Sequence, residues 1–196
     1  MTEYIRVHHK TAGSDALGMG VRYLLWLQGC DKNCPGCMSR KAADLNGGSL
    51  VKISDLAEEI CLSGLKEITI SGGEPFLQPE ALSELLKRLK EKDFGVIVYT
   101  GRLYEELKDR QETAEALRYI DVLIDGEYEA EKDDGRAYVG SSNQRILRLS
   151  GRYSAETLQS EYGSAERKVQ IEIKDGELFL AGVPDKEMLE KIKKLF

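Results

Sequence analysis

Short β-branched and apolar runs alternating with longer helical patterns predict an α/β fold, a partial (β/α) barrel of parallel strands followed by a C-terminal ββα appendage. Three observations carry that expectation. The apolar runs Tyr23–Leu27, Glu67–Ser71, Gly95–Tyr99 and Val122–Ile124 are each of strand length, and helical stripes separate most of them. Glycine-rich or polar turns follow several of the runs, as they do where ligands gather beyond the carboxyl ends of parallel strands. Past Arg152 the pattern changes: Lys168–Ile173 alternates, Asp175-Gly176 is a two-residue turn signal, and Glu177–Ala181 returns.

Taken in order, Tyr23–Leu27 leads into a cysteine-rich loop, and Ser54 is an N-cap candidate for a helix running to about Leu62. Within that helix Ile53, Leu56, Ala57, Ile60 and Cys61 share an apolar face, so Cys61 reads as packing. Pro79 suits the first turn of a helix whose Leu82, Leu85, Leu86 and Leu89 form a stripe opposite a solvated basic face. Helical stretches follow at Leu103–Arg110 and about Thr113–Tyr119. Glu127–Asp134 is acidic and poor in apolar residues, which reads as a solvated loop. Asp185 caps a last helix with Met188, Leu189, Ile192 and Leu195 inward. The expected division is a barrel domain over residues 1–150 and an appendage over 151–196.

With 196 residues, 32% charged and 41% hydrophobic, the chain is of a size for one buried core. Its net charge of −6 argues against a broad nucleic-acid footprint. The N-terminus holds no apolar stretch of signal-peptide length and no run is long enough to span a membrane, so the expectation is a cytoplasmic protein without disulfides.

Cys30, Cys34 and Cys37 stand at C-x3-C-x2-C spacing just after the first strand run. Iron–sulfur clusters are ordinarily held by four thiolates, so three on one loop point to a [4Fe-4S] cluster with one iron open to a ligand. A closed zinc site using a histidine is the alternative, and with it a non-enzymatic, zinc-stabilised binding module. His8 and His9 are the only histidines; as neighbours in an edge strand they should face opposite ways, and neither is assigned. After the next strand run comes Ser71-Gly72-Gly73-Glu74-Pro75. Paired glycines let backbone approach a ligand, and Glu74 beside them could accept from a protonated amine. Alone, such a segment is an ordinary strand-to-helix turn.

Cys30-Asp31-Lys32-Asn33-Cys34-Pro35-Gly36-Cys37 together with Gly72-Gly73-Glu74-Pro75 resembles the radical S-adenosylmethionine superfamily. The resemblance implies that Cys30, Cys34 and Cys37 bind the cluster, that the amine and carboxylate of S-adenosylmethionine chelate the open iron, and that Gly72, Gly73 and Glu74 line the amine. Leu27-Gln28-Gly29-Cys30, Asp121–Gly126 and Gly140-Ser141-Ser142-Asn143-Gln144-Arg145 narrow the resemblance to activating proteins of anaerobic ribonucleotide reductase, over roughly residues 18–150. On that likeness Gly36 and Met38 flank the cluster, Asp125 reaches the ribose, and Ser142, Asn143 and Gln144 contact the cofactor; a polar turn is the alternative for those three. Met38 departs from the aromatic frequent in that family, and the tail beyond about Ser154 has no counterpart in the matched part.

The implied activity is reductive cleavage of S-adenosylmethionine to a 5′-deoxyadenosyl radical that makes a glycyl radical on a partner enzyme, with a flavodoxin or ferredoxin as electron donor. A small radical enzyme acting on a nucleoside, pterin or peptide is the alternative. No side chain is expected to act as acid or base, because the cofactor carries the chemistry.

Overall fold

The computed structural model describes residues 2–164, 166–174 and 176–194. Leu195 of the last expected stripe and Asp175 of the expected turn lie outside them.

Seven strands form one sheet: β1 (Tyr4–Ser14), β2 (Arg22–Leu27), β3 (Ser49–Lys52), β4 (Glu67–Gly72), β5 (Gly95–Tyr99), β6 (Val122–Asp125) and β7 (Arg145–Arg148). Their order across the sheet is β3-β1-β2-β4-β5-β6-β7. β2, β4, β5 and β6 pair in parallel, and β1, β3 and β7 add antiparallel margins. The helices α1 (Ile53–Leu62), α2 (Pro79–Lys90), α3 (Tyr104–Lys108) and α4 (Gln111–Leu117) lie in the connections between the parallel strands. The fold is therefore mixed α/β, as the alternating pattern predicts.

The strands read as continuous apolar runs because both faces of the sheet are covered. Leu25, Leu27, Ile68, Ile70, Val96, Val98 and Leu123 pack on the helical side against Leu56, Ile60 and the α2 stripe Leu82, Leu85, Leu86 and Leu89. Their alternates turn the other way. Ile97, Val122 and Ile124 meet Tyr138, Val139 and, from helix α5 (Ala155–Ser164), Leu158 and Tyr162. Leu24 and Trp26 meet Ala181 of a hairpin formed by β8 (Val169–Lys174) and β9 (Glu177–Gly182). Helix α6 (Lys186–Lys193) follows, capped by Asp185, whose side chain accepts from the Met188 N–H.

Several expectations change. Ser54 does not cap α1: the N-cap is Lys52 and the Ser54 hydroxyl donates to the neighbouring Asp55 carboxylate at 2.7 Å. The tail holds a helix, α5, ahead of the hairpin, so it is α-ββ-α rather than ββα. β1 is an inner strand, with β3 outside it. A register shift between Val7 and His9 marks a bulge that defeats strict alternation, and both imidazoles come within 6.1 Å of the Phe179 ring. No helix among the described residues is long and apolar enough to cross a membrane.

Candidate functional site at the carboxyl ends of the parallel strands

The cysteine loop leaves β2 and is fastened at both ends by backbone. Gly29 N–H donates to Ala42 at 2.7 Å and Cys30 N–H to Ala43 at 3.1 Å. Buried Gln28 bridges the returning chain, donating to the Lys41 and Asp44 carbonyls. Between these ties the loop turns at Pro35-Gly36, where Gly36 has φ +77°, a left-handed conformation suited to glycine, and Cys37 N–H donates back to the Cys34 carbonyl at 3.2 Å.

The three cysteines are free, partly exposed and line one cleft of about 150 Å³ with Ser71, Gly73, Glu74, Thr100, Gly126 and Gln144. Burial pushes the Cys30 and Cys34 thiols up, against the pull of backbone N–H groups from Lys32 and Tyr128. Thiols held this way are not tuned as lone nucleophiles. They suit a soft metal centre, which takes the deprotonated form. Among the described residues no group of three His, Cys, Asp or Glu side chains is spaced to hold a single metal ion. A four-iron cluster makes a different demand, since each thiolate binds its own iron at the rim of a shared cavity. The histidine needed for a closed zinc site is committed elsewhere: His8 Nδ1 bonds Gln28 Oε1 at 2.8 Å, and His9 Nε2 lies 3.2 Å from a Glu172 carboxylate oxygen. The residues present fit a [4Fe-4S] cluster.

Gly73 stands at the cleft and Gly72 at an adjoining cavity, but the atoms that exclude a Cβ at both are protein. A Cβ on Gly72 would meet the Leu27 backbone at 2.2 Å, and one on Gly73 the Gly29 carbonyl at the same distance. Gly73 N–H donates to the Leu27 carbonyl and Glu74 N–H to that of Gly29, so the paired glycines weld the end of β4 to the root of the cysteine loop. Glu74 is 1% exposed, and its carboxylate accepts from Phe76 N–H, the Thr100 hydroxyl and Gly101 N–H at 2.8–3.0 Å. Burial raises its pKa while those three donors pull it down. Three bonds leave little of the roughly four-site capacity of a carboxylate. Its visible work is to tie the β4 and β5 ends together.

Asp125 is held by protein partners. Its carboxylate accepts from Tyr104 N–H at 2.8 Å and from the Arg145 guanidinium, and it lines neither cleft nor cavity at this end of the sheet. It sits at a strand end, as expected, but β6 pairs with β7 in a register that sets Arg145 beside it. Of the following turn, Gln144 alone lines the cleft; its side chain accepts from Gly140 N–H and donates to the Gly126 carbonyl. Asn143 donates to the Glu127 carbonyl, and neither it nor Ser142 lines the cleft. Gly36 and Met38 face an adjoining cavity.

The sequence reading missed Thr100 and Gly101, which the rule that singled out the other strand ends would have found after β5. It also missed Tyr128. The acidic segment around it folds onto the cysteine loop: Lys32 pairs with Glu127, and Tyr128 and Ala130 lie 3.5–3.6 Å from where a Cβ on Gly36 would stand.

The family described as a 4Fe-4S single cluster domain matches residues 16–147, the span that builds this cleft. Curated relatives named anaerobic ribonucleoside-triphosphate reductase-activating protein include one from Enterobacteria phage T4, 33% identical over 66% of this chain and 85% of its own length. Another, from Haemophilus influenzae, is 36% identical over 67% of this chain and 90% of its own. Among solved structures, QueE from Escherichia coli gives a partial likeness, with a TM-score of 0.43 and 18% identity over 50% of this chain and 52% of that one. Three free thiols at the rim of one cleft, inside a span that a single-cluster model covers and these relatives share, are accounted for together: this chain belongs to the 4Fe-4S single cluster domain family and, within the radical S-adenosylmethionine superfamily, to the anaerobic ribonucleoside-triphosphate reductase-activating proteins.

Proposed function

We propose that this protein is an activase that uses a [4Fe-4S] cluster and S-adenosylmethionine to generate a glycyl radical on a partner enzyme of the anaerobic ribonucleoside-triphosphate reductase type. The observation that carries the reading is the meeting of Cys30, Cys34 and Cys37 with Gly73 and Glu74 in one cleft at the strand ends. Cys30, Cys34 and Cys37 hold the cluster. When bound, cluster and cofactor supply one-electron cleavage to methionine and a 5′-deoxyadenosyl radical, which removes a hydrogen atom from the partner's glycine.

The chain's own contribution is placement and shielding. Gly72 and Gly73 bring the β4 end against the cysteine loop, and Glu74 fixes Thr100 and Gly101 across the cleft while offering its remaining acceptor capacity to the cofactor amine. Gln144 orders Gly126 and Gly140, and Tyr128 packs against Gly36 of the loop and lines the cleft. Gly36 and Met38 line the neighbouring cavity, where the substrate segment enters. Asp125, Ser142 and Asn143 act by holding the turn that carries Gln144. No side chain serves as general acid or base.

The division into a cofactor-binding unit, 1–150, and an appendage, 151–196, belongs to the same proposal. A flavodoxin or ferredoxin is the expected donor, and the cytoplasm, a reducing compartment, suits free thiols. The test is anaerobic: the reconstituted protein, reductant and S-adenosylmethionine are mixed with the reductase, and electron paramagnetic resonance is recorded. A glycyl radical matched by 5′-deoxyadenosine is expected. Cofactor cleavage without a partner radical would remove the activase claim.

A further inference from the structure

The cysteine cleft opens into a second cavity of about 200 Å³, sharing Cys37, Ser71, Tyr99, Tyr128 and Gln144 with it. Gly36, Met38 and Ser39 of the cysteine loop line that cavity, as does Trp26. Part of its wall comes from the C-terminal segment: Leu180, Val183, Pro184 and Leu189. These lie beyond residue 147, outside the span that the family model matches.

The segment is gripped by side chains rather than resting loosely. Phe179 stacks on the His9 ring with centroids 3.6 Å apart and meets Trp26 edge-on at 4.7 Å. Glu172, directly across the hairpin from Phe179, holds His9 Nε2 at 3.2 Å. Lys168 pairs with Asp15 at the hairpin's base, and Ala181 is buried against the sheet. The wall therefore has a fixed position relative to Cys37.

We propose that the C-terminal hairpin and α6 are the specificity wall of the reaction chamber, with Leu180, Val183 and Leu189 selecting an extended, uncharged peptide segment whose side chains are small where it passes Met38. This rests on the activase reading. The occupant follows from three features. The cavity runs on from the cluster cleft, so whatever fills it stands beside the reacting atoms. Its C-terminal wall is apolar, and the charged side chain elsewhere in the lining, Asp133, is already paired with Arg167, which penalises a charged segment. Its volume, with glycine backbone at Gly36, Gly72 and Gly140, admits a main chain but little side chain.

Two measurements on the full chain test the wall. In the cluster-free protein Trp26, the only tryptophan, reports on the cavity directly. A nine-residue uncharged peptide with glycine at its centre should change the Trp26 emission saturably, and the same peptide with phenylalanine there should bind at least about tenfold more weakly. Val183→Phe should remove the glycine peptide's effect by filling the cavity, and Val183→Ala, which cannot obstruct it, should narrow the preference for glycine over phenylalanine. In the loaded enzyme the ratio of partner radical to 5′-deoxyadenosine should fall about tenfold or more in Val183→Phe. Equal binding of both peptides, or an unchanged ratio and unchanged emission response in Val183→Phe, overturns the wall. Absence of 5′-deoxyadenosine from the unaltered protein strikes the activase reading instead, and the peptide arm still decides the wall.

Discussion

The two ends of one parallel sheet do opposite things with polar groups. At the amino ends, Arg22 is fully buried, donating to Thr69, the Met19, Ile68 and Gly95 carbonyls and Tyr153, with Glu67 3.2 Å away. Beside it Asp121 accepts from Lys90, Ser150 and Val96 N–H. Charge there meets matching charge within the fold. At the carboxyl ends the thiols of Cys30 and Cys34 receive only backbone N–H groups, and the ties made by Glu74, Gln28 and Gln144 fix loops around a cleft instead of filling it. One end is satisfied by the protein itself, and the other is shaped to be satisfied by something else.

Substitutions should separate the two ends. Cys34→Ser should have the largest functional effect, abolishing cluster loading, read as iron and sulfide per chain, while the melting temperature of the cluster-free protein moves little. Arg22→Met should do the reverse. It takes the donor from the Thr69 hydroxyl and the Met19, Ile68 and Gly95 carbonyls, while Glu67 keeps Arg152, and should cost about 3 kcal/mol in urea unfolding, yet leave iron per folded chain unchanged. A cost under about 1 kcal/mol would mean that the amino-end network is ornamental.

Glu74→Gln falls between. An amide oxygen cannot replace both carboxylate acceptors, so about 1–3 kcal/mol of stability should go, with weaker S-adenosylmethionine binding. Its pH dependence has a definite sign. Burial raises the folded-state pKa, so the folded protein holds the Glu74 proton more tightly than the unfolded chain, and that contribution is present below the ordinary carboxyl range and lost as pH rises through the raised value. Gln lacks this loss, so the variant's deficit, followed by unfolding of the cluster-free protein, should narrow as pH rises. Smallest is Lys32→Ala: its pair with Glu127 is partly exposed and should be worth less than about 1 kcal/mol in a thermal melt.

What the sequence disclosed divides along physical lines. β2, β4, β5, β6 and α2 were legible because both sheet faces are buried and the α2 leucines repeat at helical spacing. β1 was read only as an edge strand, because its polar, half-exposed residues carry little pattern and its inner place depends on β3, four mostly exposed residues that give no signal of their own. α5 escaped because its buried pair, Leu158 and Tyr162, though spaced i, i+4, is too short to read as a stripe. At the site, the C-x3-C-x2-C spacing and the glycine pair stood out, since local chemistry fixes them. Tyr128 and Asp125 did not: whether a residue at a strand end faces the cleft or a neighbour such as Arg145 is set by strand register, which no short motif encodes.

The central claim is that the three cysteines hold a four-iron cluster with one iron free to take S-adenosylmethionine. The most direct measurement is electron paramagnetic resonance of the reduced, reconstituted protein before and after that cofactor is added. A [4Fe-4S] signal whose line shape changes saturably with S-adenosylmethionine is predicted. A cluster signal that the cofactor leaves untouched, or a colourless protein holding one tight zinc ion and no iron, would contradict it.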